Sequence, residues 1–241
     1  PRLRRDYVVA GQVVVRLQLG VAPETIATQY GLTLNSTVLS SGGIYLFNTA
    51  NADVDVEALI DQMLLNTSVI WAEPNFINSV PEGHPFKVWG WGGVDPTGYI
   101  NQQSFAQVRL PDATSPFQGT GIDIAVLETG IDLNHPAFVG RLVAGWDMVA
   151  DDAIPQDEGP GLAWGHGTHV SGIIARVAPQ SKIMPMRVLD STGRSNTFVV
   201  AYAIERAAAM GAEVINLSLG STSDSRILRD VVETVTGQGV L

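Results

Sequence analysis

From Gly119 onward the sequence alternates strand-like and helix-like stretches, and this alternation limits the fold more than any other feature. "GIDIAVLETG", "SKIMPMRVL" and "AEVINLSLG" are short β-rich apolar runs, separated by the helical stretches "GHGTHVSGIIARV" and "TFVVAYAIERAAAMG". Strands that alternate with helices predict an α/β fold, a parallel sheet with helices on both faces. Sites in such sheets form at the carboxyl ends of strands. Glu128 and Ser218 both fall at such ends.

The chain before residue 80 has a different rhythm. "QVVVRLQL" reads as a strand, and "APETIATQYG" as a helix with Pro23 in its first turn and Gly31 as its stop. "LTLNSTVLS" and "GIYLFNTA" read as a hairpin around Ser41-Gly42-Gly43. In "VDVEALIDQMLLN" the residues Val56, Leu59, Ile60, Met63 and Leu64 have amphipathic helical spacing, and "SVIWAEPNFIN" is a last strand. The order βαββαβ predicts a small ferredoxin-like α+β domain with both helices on one face. Residues 1–79 form this domain, 80–100 a Gly-, Pro- and Trp-rich linker, and 101–241 the α/β portion, with a short helix in "QQSFAQVRLPDA".

Charge and composition narrow the function classes. With 14 Lys and Arg against 24 Asp and Glu, the formal net charge is −10. Nucleic-acid binding relies on clustered basic residues, so no nucleic-acid partner is expected. Arg2, Arg4 and Arg5 read as a solvated tail. There is no cysteine, which removes disulfides, thiol catalysis and cysteine-bound zinc. No apolar run is long enough to span a membrane, and no signal-peptide core follows Pro1, so any leader is expected to be removed or not included. "SRILRDVVETVTGQGVL" reads as a helix, a glycine stop and the first residues of another strand, so the α/β portion is expected to be truncated.

His166 stands between Gly165 and Gly167 at the start of an apolar helix. An imidazole there is expected to be exposed at the helix start, while the flanking glycines let other backbone approach closely. Its ordinary pKa of about 6.5 suits a group that accepts and returns a proton near neutrality. His169, three residues on, suggests a metal pair, but no HExxH glutamate, third histidine or cysteine accompanies it. His169 is expected to pack one turn behind the site, with His135 in a turn and His84 in the linker. The acidic stretch "DMVADDAIPQDEG", with Asp147, Asp151, Asp152, Asp157 and Glu158, reads as a solvated loop, with a cation site as its alternative.

"AVLETGIDLNHP", "GHGTHVSGIIA" and "VINLSLG", in this order and each at the mouth of one sheet, resemble the motifs of the subtilisin-like serine proteases, the subtilase family. The resemblance implies Glu128 at the position of the catalytic acid and His166 as the general base. It implies Ser218, Leu219 and Gly220 as the strand that pairs with an extended peptide or protein substrate, a β-augmentation mode. The βαββαβ segment ending in "WAEPNFI" is similar to subtilase propeptides, which assist folding and cover the substrate strand until cut away. "QQSFAQVRLPDA" resembles the opening of the mature enzyme, which puts the expected processing region between about Ser79 and Ile100.

Three departures stand beside the match. The family's acid is Asp, and Glu128 has one more methylene, which is expected to move the carboxylate by roughly 1 to 1.5 Å and to cost on the order of 10²-fold. Asp132 matches a non-catalytic Asp of the motif. The family's Gly-Thr-Ser-Met-Ala-like serine motif and its Asn-bearing oxyanion motif do not occur after "SLG", and Ser171, Ser191, Ser195 and Ser218 stand in no comparable context. Finally, Ala137 stands where many subtilases carry an Asp calcium ligand, which puts that site in doubt; no required cofactor is expected, with structural calcium as the alternative.

Two readings remain. One is the proform of a subtilisin-like serine endopeptidase whose nucleophile comes from a C-terminal companion segment, inactive as this chain alone. The other is a non-catalytic subtilase-like binding or regulatory module, a pseudoprotease. The resemblance implies an extracellular or secreted location.

Overall fold

The structure, a computed structural model, describes residues 7–35, 39, 42–81, 97–110 and 118–241. The Arg2, Arg4 and Arg5 cluster, Ser41, His84 and most of the linker lie outside the described residues. The chain divides into two compact units, and each is built by its own sheet.

The first unit holds the segment ending at Ser79 together with Arg194–Arg206 and Leu219–Gly239. Its strands are β1 (Val8–Leu17), β2 (Thr33–Leu34), β3 (Ile44–Asn48), β4 (Val69–Ser79) and β8 (Arg194–Asn196), in the order β2-β3-β1-β4-β8. β1 pairs antiparallel with β3 and β4, and β2 with β3, as the hairpin reading requires. Helices α1 (Pro23–Tyr30) and α2 (Val56–Met63) supply the two remaining elements of the βαββαβ order. Pro23 opens α1, and Gly31 closes it in the left-handed region at φ 64°. Asp55 caps α2 by accepting the Ala58 N–H.

Val13, Val14 and Val15 of β1 are all fully buried, so both faces of this strand are covered. Val13, Val15 and Leu17 form one cluster with Phe47, Val69, Ile26 of α1 and Ile60 and Met63 of α2. Both helices therefore cover the same face. Each such side chain, fully buried, contributes about 1.5–3 kcal/mol of transfer free energy.

The same unit contains α6 (Thr197–Ala209) through Arg206 and α7 (Arg226–Gly237). Ile227, Val231 and Val235 recur every four residues and form the buried stripe of α7. Two polar residues of β4, spaced by two so that they share a face, meet the helix starts. Buried Glu73 accepts from the Ser225 hydroxyl and from the Arg226 and Ile227 N–H groups, at 2.9, 2.8 and 3.2 Å. Asn75 accepts from the Thr197 hydroxyl and the Phe198 N–H. Helix starts leave several N–H groups without an internal partner, and a carboxylate there also complements the helix dipole.

The second unit is built on a parallel sheet of β5 (Asp123–Glu128), β6 (Trp146–Asp147), β7 (Lys182–Arg187) and β9 (Val214–Leu217), in the order β6-β7-β5-β9. Ile124 and Val126 of β5 pack with Ile183, Phe138, Val170, Ile174 and Ala175. Val170, Ile174 and Ala175 belong to α5 (His166–Val177). Ala125 and Leu127 point to the opposite face and are also fully buried. Burial on both faces explains why β5 is a continuous apolar run without alternation, and it agrees with the α/β reading. The short helices α3 (Thr97–Ile100) and α4 (Gln103–Gln107) precede the sheet, α4 within "QQSFAQVRLPDA". Beyond α7, Leu241 exchanges backbone hydrogen bonds with Glu213 and Ile215, beside β9.

Candidate functional site

Glu128 is the last residue of β5, and His166 the first of α5. Their side chains meet: His166 Nδ1 lies 2.7 Å from Glu128 Oε2. Both are buried, at 0% and 5% exposure, so the imidazole is not exposed as its place at a helix start suggests. The longer side chain is expected to misplace the carboxylate, but the contact is made at ordinary hydrogen-bond length. Close approach of the two elements explains it. A Cβ at Gly167 would lie 2.9 Å from Glu128 Cβ and 2.1 Å from the Gly130 carbonyl, so the helix start rests directly on the turn after β5. Gly165 serves differently from the expected close contact: it has φ 91°, the space where a Cβ would point is open, and its role is the turn into the helix.

The loop before the helix closes around the pair. The Thr129 hydroxyl accepts the Gly167 N–H at 3.0 Å and donates to Asp157 Oδ1 at 3.3 Å. The Thr168 hydroxyl donates to Asp157 Oδ2 at 2.8 Å and accepts the Asp132 N–H. Asp157 is 5% exposed, and burial pushes its carboxyl above the ordinary range, against the opposing effect of the bonds from Thr168, Gly165 and Thr129.

The reading of "DMVADDAIPQDEG" as a solvated loop is therefore corrected. Asp151, Asp152 and Glu158 are exposed, but Asp147 and Asp157 are buried. Asp147 accepts from Arg187 and from the Val149 and Ala150 N–H groups. Arg187 also donates to Glu158 at 2.7 Å. Burial disfavours the Arg187 charge, and the bonds to Glu158 and Asp147 outweigh it, so its pKa is raised. Arg187 is the register partner of Glu128 across β5 and β7. Asp157 and Arg187 carry no motif of their own, and only their spatial neighbours give them meaning.

The remaining candidates are placed as follows. β9 ends at Leu217, so Ser218, Leu219 and Gly220 lie just beyond the strand. Ser218 Oγ accepts from Asn216, and Gly220 exchanges two backbone bonds with Ser79, at 2.9 and 3.0 Å. Beside this, Ile77, Asn78 and Ser79 pair antiparallel with Asn196, Ser195 and Arg194. His135 caps a single turn, Pro136–Phe138, as a turn residue should. His169 is exposed and does not pack behind the site, because its position on α5 faces away from the buried His166, Gly167 and Ser171. Among the described residues, no group of three or more His, Asp or Glu is placed to hold a metal ion.

Comparison with known proteins gives this arrangement its context. The model of the subtilase family matches residues 119–239, half of the chain. Thermitase of Thermoactinomyces vulgaris is 37% identical over 60% of this chain and 54% of its own length. A thermophilic serine proteinase of Bacillus sp. (strain AK1) is 34% identical over 77% of this chain and 45% of its own length. The chain thus spans about half the length of these curated relatives. The crystal structure of fervidolysin from Fervidobacterium pennivorans, a keratinolytic enzyme related to subtilisin, superposes on 99% of this chain and 40% of its own, with TM-score 0.75 and 23% identity. That likeness concerns the fold. Among the described residues, no helix is long and apolar enough to cross a membrane.

Proposed function

Since the chain belongs to the subtilase family of serine endopeptidases, we propose that it is the proform portion of a subtilisin-like serine endopeptidase, with Glu128 and His166 as its acid and base. The observation that carries this is the 2.7 Å contact between His166 Nδ1 and Glu128 Oε2 at the carboxyl end of β5.

In peptide-bond hydrolysis the serine hydroxyl adds to the scissile carbonyl while His166 takes its proton through Nε2. His166 then returns the proton to the leaving amine. Glu128 holds the Nδ1–H, fixing the tautomer, and its charge stabilises the imidazolium that forms. The 241 residues carry no Gly-Thr-Ser-Met-Ala-like motif after β9. The proposed nucleophile and oxyanion donors belong to a further C-terminal segment or companion, and this portion alone is inactive.

Residues 1–79 act as the propeptide, and its tail occupies the strand that a peptide or protein substrate would use. The two backbone bonds between Ser79 and Gly220, and the pairing of Ile77–Ser79 with β8, support this reading. They have the geometry of strand addition to a sheet edge. Processing then falls beyond Ser79, within 80–100. An extracellular location is proposed from family membership, and a relative named minor extracellular protease Epr, of Bacillus subtilis, supports it at 27% identity.

Glu in place of the family's Asp favours the second reading, a non-catalytic binding module. Reaction with a serine-directed phosphonate, followed by intact-mass analysis, separates the two. The protease reading expects one label on the full-length protein or on this chain plus its companion segment, and none on the 241 residues alone. No label on the full-length protein would leave the binding module.

A further inference from the structure

We infer that Asp157 is a positioning residue of the Glu128–His166 pair, tying the turn after β5 to the start of α5. This rests on the reading of those two residues as acid and base. Asp157 is bonded to groups on both sides of the pair.

On the β5 side, the Thr129 hydroxyl donates to Oδ1, and Thr129 is the residue next to Glu128. On the helix side, the Thr168 hydroxyl and N–H both donate to Oδ2, at 2.8 and 3.4 Å, and the Gly165 amide is also directed at the carboxylate. Thr129 closes the circuit by accepting the Gly167 N–H. Gly165, Gly167 and Thr168 surround His166 in sequence, so the imidazole's attachment is fixed on each side.

The chemistry asks for a carboxylate. Helix α5 has Gly165 at its cap position, which provides no side-chain acceptor, so the Gly167 and Thr168 N–H groups are satisfied from outside the helix. Two hydroxyls and two amides converge on Asp157 as donors, and an ionised carboxylate only accepts. Its backbone is anchored as well, because the Asp157 N–H donates to the Ile131 carbonyl, three residues past Glu128. Asn is the same size but turns an NH2 toward one set of donors, so it retains only half of the clamp.

The test needs no peptidase activity. In 1H–15N spectra of the 241-residue chain, the His166 Nδ1 proton held by Glu128 is followed as it exchanges with water. Asp157→Asn is expected to accelerate that exchange on the order of 10-fold, the loss of about one charge-assisted bond. Thr168→Val, which removes one hydroxyl from the same carboxylate, is expected to act in the same direction. Asp151→Asn, at an exposed position of the same loop, is expected to leave it unchanged. Folded Asp157→Asn and Thr168→Val proteins with the parental exchange rate would overturn the inference. Absence of peptidase activity in the full-length protein would instead concern the proposed function.

Discussion

Glu128 Oε2 and His166 Nδ1 stand 2.7 Å apart with both side chains buried, between the end of β5 and the start of α5. In a low-dielectric setting the carboxylate favours one tautomer of the imidazole, the one with its proton on Nδ1.

Replacing Glu128 by Gln keeps the shape but allows the amide to donate to Nδ1, which selects the wrong tautomer. The expected loss in kcat of the full-length protein is about 10⁴-fold, with KM little changed. A change confined to KM would show that the carboxylate does not orient the base.

Glu73 gives a pH prediction. Burial raises its pKa from the ordinary value near 4.5, more than the bonds from Arg226, Ile227 and Ser225 lower it. The folded protein then holds this proton more tightly than the unfolded chain does, so the associated stability is present at low pH and lost as pH rises through the folded value. The Tm advantage of the parent over Glu73→Gln is expected to shrink from roughly pH 4 to roughly pH 7. An advantage that grows over this interval would contradict the burial argument.

The Ser79–Gly220 pair predicts local protection. Pro at position 79 removes the N–H that donates to the Gly220 carbonyl. Hydrogen exchange of the Gly220 amide, which donates back to Ser79, should accelerate by roughly 5- to 10-fold, the equivalent of about one hydrogen bond. Unchanged exchange would separate this strand from the segment proposed to cover it.

Leu127 tests the sheet. It is fully buried on the face of β5 opposite Ile124 and Val126, and Leu127→Ala should cost about 2–5 kcal/mol in chemical unfolding. A cost below about 1 kcal/mol would mean that this face is not packed.

Much of this is legible in the sequence, for identifiable reasons. β5, α5 and β9 are marked by local pattern: an apolar run, a glycine-bounded helix start and a second apolar run, each complete within about ten residues. Glu128 and His166 are singled out by the family resemblance of the motifs that contain them, one at a strand end and one at a helix start. The roles of Asp157 and Arg187 are not legible, since burial of a charge depends on partners such as Thr168 and Asp147 that no local pattern ties to them. A run of acidic residues looks solvated when its partners are unseen. The reach of Glu128 and the burial of His166 escape the sequence for a related reason: the close seat of Gly167 on the turn is a property of the packed elements, not of either segment.

The most direct test of the central claim is kcat/KM for peptide hydrolysis by the full-length protein and its His166→Ala variant. A loss of at least about 10⁴-fold is expected, because in the proposed mechanism His166 is the group that takes the serine proton. A variant that cleaves at the parental rate would contradict it.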